Sequence, residues 1–167
     1  MSTNELVNKR NELNTMAEKA IAGLIAEDPN LQSKLDSSLA YGVANMKLTK
    51  VPIVGGGGGE GVLIIKKDDQ HVYFSVGRFD IGGGWGARSY KVLMIIQSQE
   101  VLDQWIDGKW IFESGAEASA GTAAAEATTA AVDAGFTTHV LAEGGASATA
   151  TARVIHVKVN GDLTESP

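Results

Sequence analysis

The chain has 167 residues, a length typical of one domain with its own hydrophobic core. It contains no cysteine, which excludes disulfides, thiolate metal sites and thiol nucleophiles. The net charge of −6 argues against general nucleic-acid binding, because such binding relies on clustered Lys and Arg to neutralise phosphates. No apolar run approaches the ~20 residues that span a bilayer. The N-terminus shows no signal peptide. We therefore expect a cytoplasmic protein, or an exported or periplasmic one if a signal has been removed.

The first forty residues have a helical pattern. Ser2, with Glu5 three residues later, is typical of a capping box at a helix start. Asp28 followed by Pro29 predicts the start of a second, shorter helix, which Gly42 would end. Apolar residues recur at spacings of three, four and seven, which predicts a buried stripe on each helix. The stripes are Leu6, Leu13, Ala17, Ala20, Ile21, Leu24 and Ile25, and then Leu31, Leu35 and Leu39.

After Gly42 the pattern changes from helical to extended. Asp68-Asp69 predicts a hairpin turn between two strands. Five consecutive apolar residues, 92–96, predict a strand covered on both faces. Ser98 is expected to cap a short helix that ends at Gly108. The inner side of that helix would be Val101, Leu102, Trp105 and Ile106, and the other predicted strands are 43–46, 51–54, 62–67 and 71–76.

The alanine-rich part of the chain keeps a period of two in places, as a half-buried strand does and a disordered linker need not. Residues 116–121 and 146–153 alternate alanine with other residues. The alternation changes phase at Val154-Ile155, which predicts a β-bulge or a bend between sheets. Residues 122–135 fit either a loop or a short helix, because alanine favours helix and the threonines favour extension.

These elements predict a single α+β domain over residues 1–167. Residues 1–41 form its helical N-terminal region, 42–160 its β-rich body and 161–167 a tail. The helices are expected to pack on a strongly bent, mostly antiparallel β-sheet or barrel-like β-structure with one short helix inserted.

The glycine-rich stretch "VPIVGGGGGEGVLIIKK", residues 51–67, does not fit a nucleotide loop. A Walker loop needs Gly-Lys-Ser/Thr, and a dinucleotide loop needs a helix directly after the glycines. A β-branched strand follows here instead. We therefore interpret Gly59 and Gly61 as places where strands bend or cross closely, and we expect no nucleotide and no other cofactor.

Catalytic patterns are sparse in the sequence. His71, His139 and His156 are far apart and lack metal-ligand spacing. The Gly-x-Ser-x-Gly arrangement of a nucleophile elbow is missing. We therefore expect a protein with no catalytic residues and no bound metal.

The order of motifs resembles the SYLF domain, a lipid-binding module of bacteria and eukaryotes. The resemblance rests on "AYGVANMKLTKVPIVGGGGGEGVLII", on "IGGGWGAR" directly before "YKVLMIIQSQEVLDQW", and on "ESGAEASAGTA". It extends over roughly residues 15–160. The positions that match the family pattern are Gly42, Lys50, Gly59, Gly61, Gly84, Trp85, Gly86 and Ala87.

The resemblance implies a compact β-rich domain with N-terminal helices. It also implies binding of membrane lipids, which are phosphoinositides in some eukaryotic members, and of actin filaments in others. In those eukaryotic members the phosphoinositide contact is associated with a basic N-terminal helix. Here the basic residues of the first helix are matched by Glu5, Glu12 and Glu18. The candidate lipid-binding residues are Lys9, Arg10, Lys19, Lys47, Lys50, Trp85 and Arg88.

Each candidate lipid-binding feature also has a purely structural interpretation. The first helix either packs its stripe in the core or lies on a membrane surface. Lysines at strand ends either bind headgroups or protect sheet edges. Trp85, between Gly84 and Gly86, either packs on bare backbone or contacts an acyl chain. The leading hypothesis is a non-enzymatic lipid or membrane-surface binding module; the alternative is a protein-interaction or scaffolding domain that binds a protein partner or itself.

Overall fold

The computed structural model of the chain describes residues 2–47, 58–81, 89–113, 135–142, 147–150 and 152–165. The predicted α+β fold is confirmed. In chain order the elements are α1 (Thr3–Glu27), α2 (Leu31–Asp36), β1 (Ala40–Lys47), β2 (Gly58–Ile65), β3 (Gln70–Ile81), β4 (Ser89–Ile96), α3 (Gln99–Ile106), β5 (Lys109–Glu113), β6 (Phe136–Ala142), β7 (Ser147–Ala150), β8 (Ala152–Val159) and α4 (Gly161–Glu165). The expectations for 51–54, 116–121 and 122–134 lie outside the described residues.

The described strands form one eight-stranded sheet in the order β5-β8-β3-β2-β1-β4-β6-β7. Every pairing is antiparallel. Strand β7 lies at one end of this order, whereas β8 lies next to the other end. Only one residue separates Ala150 of β7 from Ala152 of β8, so their Cα atoms are at most about 7.6 Å apart. The two ends of the sheet therefore meet, and the sheet curls into a barrel-like shape.

The predicted phase change in the last strand is present as a bulge. Asp80 of β3 pairs with Val154, but the next residue, Ile81, pairs with Ala152. Arg153 is therefore the extra residue on β8, directly before the predicted position. A second register shift, between Val76 and Arg78, gives β3 an extra residue of its own. Such bulges bend strands and increase their twist, as a curled sheet requires.

The inner face of the curled sheet holds an aromatic cluster. Trp110 of β5 lies 5.2 Å from Phe136 of β6, although these strands are far apart in the sheet order. Trp105, fully buried on α3, stacks on Trp110 at 5.1 Å and meets the edge of Phe74 at 5.0 Å. Helix α3 thus packs with its buried side against the inner cluster, and the contacts between rings from distant strands show how far the sheet curls.

Helix α1 packs across the outer face. Its buried residues are Leu6, Leu13, Ala17, Ala20 and Leu24, most of the predicted stripe. They lie in one cluster with Val43, Val62, Leu93 and Ile95 of the sheet. Strand β4 is accordingly covered on both faces, as predicted, because Val92 and Met94 belong to the inner cluster. Each fully buried leucine gains about 1.5–3 kcal/mol, so burial of the stripe dominates the docking of α1.

A polar network fixes the position of α1 along β3. Asn14 donates its side-chain amide to the Tyr73 hydroxyl at 3.0 Å. Its carbonyl oxygen lies 2.9 Å from Nδ1 of His71. The backbone N–H of Tyr73 donates to the hydroxyl of Thr164 on α4 at 2.9 Å. These bonds connect α1, β3 and α4, so the helices share one attachment point on the sheet.

Several helix boundaries differ from the sequence-based predictions. Ser2 caps α1 as predicted, with its hydroxyl accepting from the Glu5 N–H at 3.2 Å. Asp28, however, ends α1, and α2 begins only at Leu31 because Asp28 and the next two residues form a turn. Gly42 is not a helix stop: α2 ends at Asp36, and Gly42 lies inside β1.

Helix α3 is close to its prediction, with one exception. Ser98 accepts from the Val101 N–H at 3.4 Å, and Gly108, with a φ of +115°, follows the helix end. Ile106 was predicted on the inner side but is 46% exposed. Beyond the β-body, the predicted tail contains α4, whose Leu163 is buried against α1 and the outer cluster.

Gly59 and Gly61 lie in β2 where it crosses β1 closely, which supports their structural interpretation. A Cβ on Gly61 would overlap the Val43 carbonyl oxygen and lie 2.7 Å from the Phe74 ring. A Cβ on Gly59 would overlap the Asn45 carbonyl oxygen. The segment after these glycines is strand, so it offers no helix N-terminus for a dinucleotide. Gly84 and Gly86 lie outside the described residues.

Substitution of Gly61 should therefore destabilise the protein. We expect Gly61→Ala to lower the free energy of unfolding by about 1–3 kcal/mol, because backbone on β1 must move to admit the methyl group. Gly77→Ala is the matched control, since its Cβ would meet nothing within 4 Å. Urea denaturation of both variants measures the difference. Equal stabilities would contradict a close crossing of β1 and β2.

Candidate functional site

A groove of about 690 Å³ runs between α1 and the outer face of β1, β4 and β6. On the helix side its residues recur at intervals of three and four, so they share one face of α1 beside the buried stripe. On the sheet side, Asn45, Lys91 and Leu141 are register partners in one row across three strands. The lining residues are Asn8, Asn11, Glu12, Thr15, Met16, Lys19, Ala20, Asn45, Lys91, Leu141 and Ala142.

The groove combines two cations with a single acid. Lys19 and Lys91 have no ion-pair partner among the residues that the structure describes. The Oε1 atom of Glu12 lies 3.9 Å from Nζ of Lys9, whose positive charge partly offsets the negative charge of Glu12. The two lysines and Glu12 together give the lining a formal charge of +1. The groove is therefore positive locally, on a chain whose net charge is −6.

Uncharged groups complete the groove. The side-chain amides of Asn8, Asn11 and Asn45 make no hydrogen bond to the rest of the described chain. Met16 and Leu141 are half-buried and supply an apolar surface beside them. Unpaired donors around a partly apolar concavity of this volume are typical of ligand sites. The arrangement suits an anionic molecule with an apolar part.

The predicted basic residues of α1 have different surroundings in the structure. Lys19 lies at the groove. Lys9 instead forms an ion pair with Glu60 of β2, with 3.0 Å between Nζ and Oε2, and its side chain is only 26% exposed. Arg10 donates from Nε to the Leu163 carbonyl at 2.7 Å. Lys9 and Arg10 therefore tie α1 to β2 and α4, so they do not form one free basic face with Lys19.

The side chains of the other predicted lipid-binding residues lie outside what the structure describes. The backbone of Lys47 ends β1, while its side chain lies outside the description. Lys50, Trp85 and Arg88 lie in segments outside the described residues.

Sequence reasoning missed Lys91, Asn8, Asn11 and Asn45. The recurrence of Asn8 and Asn11 at i and i+3 was a readable signal for one helix face. The position of Lys91 beside Lys19 depends on the non-local row across β1, β4 and β6. Periodicity within one strand does not reveal such a row.

A second concavity, of about 200 Å³, lies where α1, α2 and β1 meet. Burial raises the pKa of Tyr41 there, with further contributions from the negative charges of Asp69 and Glu18. Lys66 donates from Nζ to the Leu35 and Asp36 carbonyls at 2.8 and 2.6 Å. It therefore satisfies the C-terminal carbonyls of α2, a structural role for a lysine near a helix end.

The described part of the chain contains neither a metal-ligand cluster nor a helix suited to cross a membrane. No group of three or more His, Asp or Glu side chains there is arranged to hold a metal ion. None of the helices in the described ranges combines the length and the apolar character that crossing a membrane requires.

No protein-family model matches the chain. The chain is similar to Beta cell expansion factor A of Aeromonas veronii, with 24% identity over 154 residues. The similarity covers 92% of this chain and 58% of that protein, so the chain corresponds to little more than half of its relative.

Close to the groove, on the same face of β6, His139 is 2% exposed. Its Nε2 lies 3.0 Å from the Thr137 hydroxyl. Burial lowers the pKa of His139 to about 4, the positive charge of Lys34 adds to this effect, and Asp28 opposes it. A protonated imidazole is therefore disfavoured in the folded protein.

This shift predicts an acid-sensitive contribution to stability. Above pH 6.5 the imidazole is neutral in both states; as the pH falls toward 4, protonation favours the unfolded chain. Relative to His139→Gln, we expect the native protein to lose roughly 2–3 kcal/mol between pH 7 and pH 4.5. Urea denaturation across this pH range measures the difference. A parallel loss of stability in both proteins would contradict the prediction.

Proposed function

We propose that the protein is a non-enzymatic lipid or membrane-surface binding module of the SYLF type. The observation that carries this proposal is the groove beside α1, where Lys19 and Lys91 flank the apolar surface of Met16 and Leu141. A charged rim next to an apolar surface matches an anionic lipid, whose headgroup and acyl chains differ in the same way.

The small number of free cations in the groove favours specific recognition there over general electrostatic attraction to an anionic membrane. A basic residue near an anionic leaflet contributes about 1 kcal/mol, and strong electrostatic anchoring uses four to eight of them. Lys19 and Lys91 supply only two, and the chain as a whole is acidic. We therefore propose that specific contacts in the groove add to a weak electrostatic term. Binding should weaken with salt, because surface charges are screened.

The same proposal extends to the region shared with Beta cell expansion factor A. The name of that protein refers to expansion of beta cells, which is an effect on cells and not a chemical step. We propose that the shared region serves as a binding module in both proteins.

The lysines of the groove provide the direct test. We expect Lys19→Glu with Lys91→Glu to reduce co-sedimentation with anionic vesicles at least about tenfold, since two attractive charges become repulsive. Lys109→Glu with Lys158→Glu is the matched control. These lysines are exposed register partners on β5 and β8, away from the groove, and their substitution changes the net charge equally. Equal losses in both variants, or no vesicle binding by the native protein, would refute the proposal.

A second candidate function is self-association or scaffolding through the β5 edge. In the described part of the sheet, β5 pairs with β8 alone. Ile111 of β5 and Ile106 of α3 are each 46% exposed. An edge strand with an exposed apolar side chain offers a template for pairing with another strand.

This candidate predicts a concentration-dependent oligomer. We expect light scattering to show dimers of the native protein and a larger monomer fraction for Ile111→Lys, because charge on an edge strand opposes pairing. A native protein that remains monomeric at every concentration would exclude it.

A further inference from the structure

The groove carries enough detail to indicate the class of headgroup. We propose that it binds a lipid headgroup with one phosphodiester and free hydroxyl groups, such as the glycerol headgroup of phosphatidylglycerol. This inference rests on the proposed function, since it names the ligand of the same groove.

The charge of the groove matches one phosphate. Lys19 and Lys91 are donors without acceptor capacity, so they suit phosphodiester oxygens. Their two positive charges and the negative charge of Glu12 sum to +1, which balances the single negative charge of a phosphodiester. A headgroup with several phosphates would bring excess negative charge close to Glu12. The groove therefore favours a monoanionic lipid over a polyphosphorylated one.

The amides match hydroxyl groups. Each Asn side chain offers both donors and an acceptor, and a hydroxyl group does the same. Asn8, Asn11 and Asn45 have these groups unpaired within the described chain, on both sides of the groove. Asn14 differs, because its amide is occupied by Tyr73 and its carbonyl faces His71. Three amides without a partner in the described chain thus line the same groove as the two lysines.

The lysines also disfavour headgroups that carry an ammonium. The amine of phosphatidylserine or phosphatidylethanolamine would meet two like charges from Lys19 and Lys91, against a single carboxylate, Glu12, that already faces Lys9. A glycerol headgroup has no such charge, so it can occupy the amide side while its phosphate contacts the lysines. Met16 and Leu141 would then contact the lipid backbone and the first methylene groups of the acyl chains.

Vesicles of equal charge separate this inference from simple electrostatics. We expect vesicles containing phosphatidylglycerol to bind about 25-fold more tightly than vesicles with the same mole fraction of phosphatidylserine, from two hydrogen bonds worth about fivefold each. Asn8→Ala with Asn11→Ala should remove this preference, so that the ratio of the two affinities falls to about one. The matched control is Asn4→Ala with Asn30→Ala, two exposed asparagines outside the groove, which should keep the preference.

The soluble headgroup locates the contact. Glycerophosphoglycerol should compete with vesicle binding. In nitrogen-15 correlated NMR spectra it should shift the side-chain amide signals of Asn8, Asn11 and Asn45, while that of Asn14 stays in place. No shift of the groove amides would overturn the assignment to the groove.

The outcomes distinguish the two proposals. Equal binding to both lipids, tighter binding to a polyphosphorylated lipid at matched vesicle charge, or an unchanged preference after the asparagine substitutions overturns the headgroup inference and leaves the proposed function standing. No binding of the native protein to any vesicle overturns both.

Discussion

The near-continuity of β7 and β8 is the constraint on which the rest of the architecture depends. The segment 147–159 pairs with β6 in its first part and with β3 and β5 in its second, so one stretch of chain joins both ends of the sheet. The bulge at Arg153 lies close to the point where the chain stops pairing with β6 and begins to pair with β3. Such a bulge bends the strand, which allows this change of partner. Because the ends meet, the sheet acquires an inner face, which in the described part of the chain is filled by its own side chains and α3, and an outer face that α1 covers.

The two faces are stabilised by different means. Rings from strands distant in the order meet inside, with 4.8 Å between the centroids of Phe112 and Phe136. Outside, α1 is held chiefly by burial of its stripe, because a partly exposed ion pair such as Lys9–Glu60 contributes only about 0–1 kcal/mol. That ion pair and the bond from Arg10 to Leu163 therefore orient the helix more than they hold it. The groove forms along the side of α1 where the stripe ends and polar residues begin.

The sequence predicted features that depend on short-range patterns. The buried run of β4, the cap at Ser98 and the stripe of α1 follow from the period and the flanking residues, and all three are present. Gly59 and Gly61 were predicted to be structural because a strand and not a helix follows them, and a Cβ on either would overlap backbone of β1. The start of α2 was wrong because Asp28 closes α1 instead of capping the next helix. The groove could not be predicted in full, since its sheet side is a row of residues contributed by three strands.

The lysines of this protein show why a count of basic residues misleads. Lys9 pairs with Glu60, and Lys66 satisfies the carbonyls at the end of α2, so neither is free to act as a surface charge. Lys19 and Lys91 come from a helix and a strand more than seventy residues apart and have no partner in the described chain. A partner is what decides whether a cation stabilises the fold or remains able to bind a ligand. Because the docked position of α1 engages Lys9 with Glu60 and leaves Lys19 at the groove, the same helix provides both an attachment to the sheet and one side of the proposed binding site.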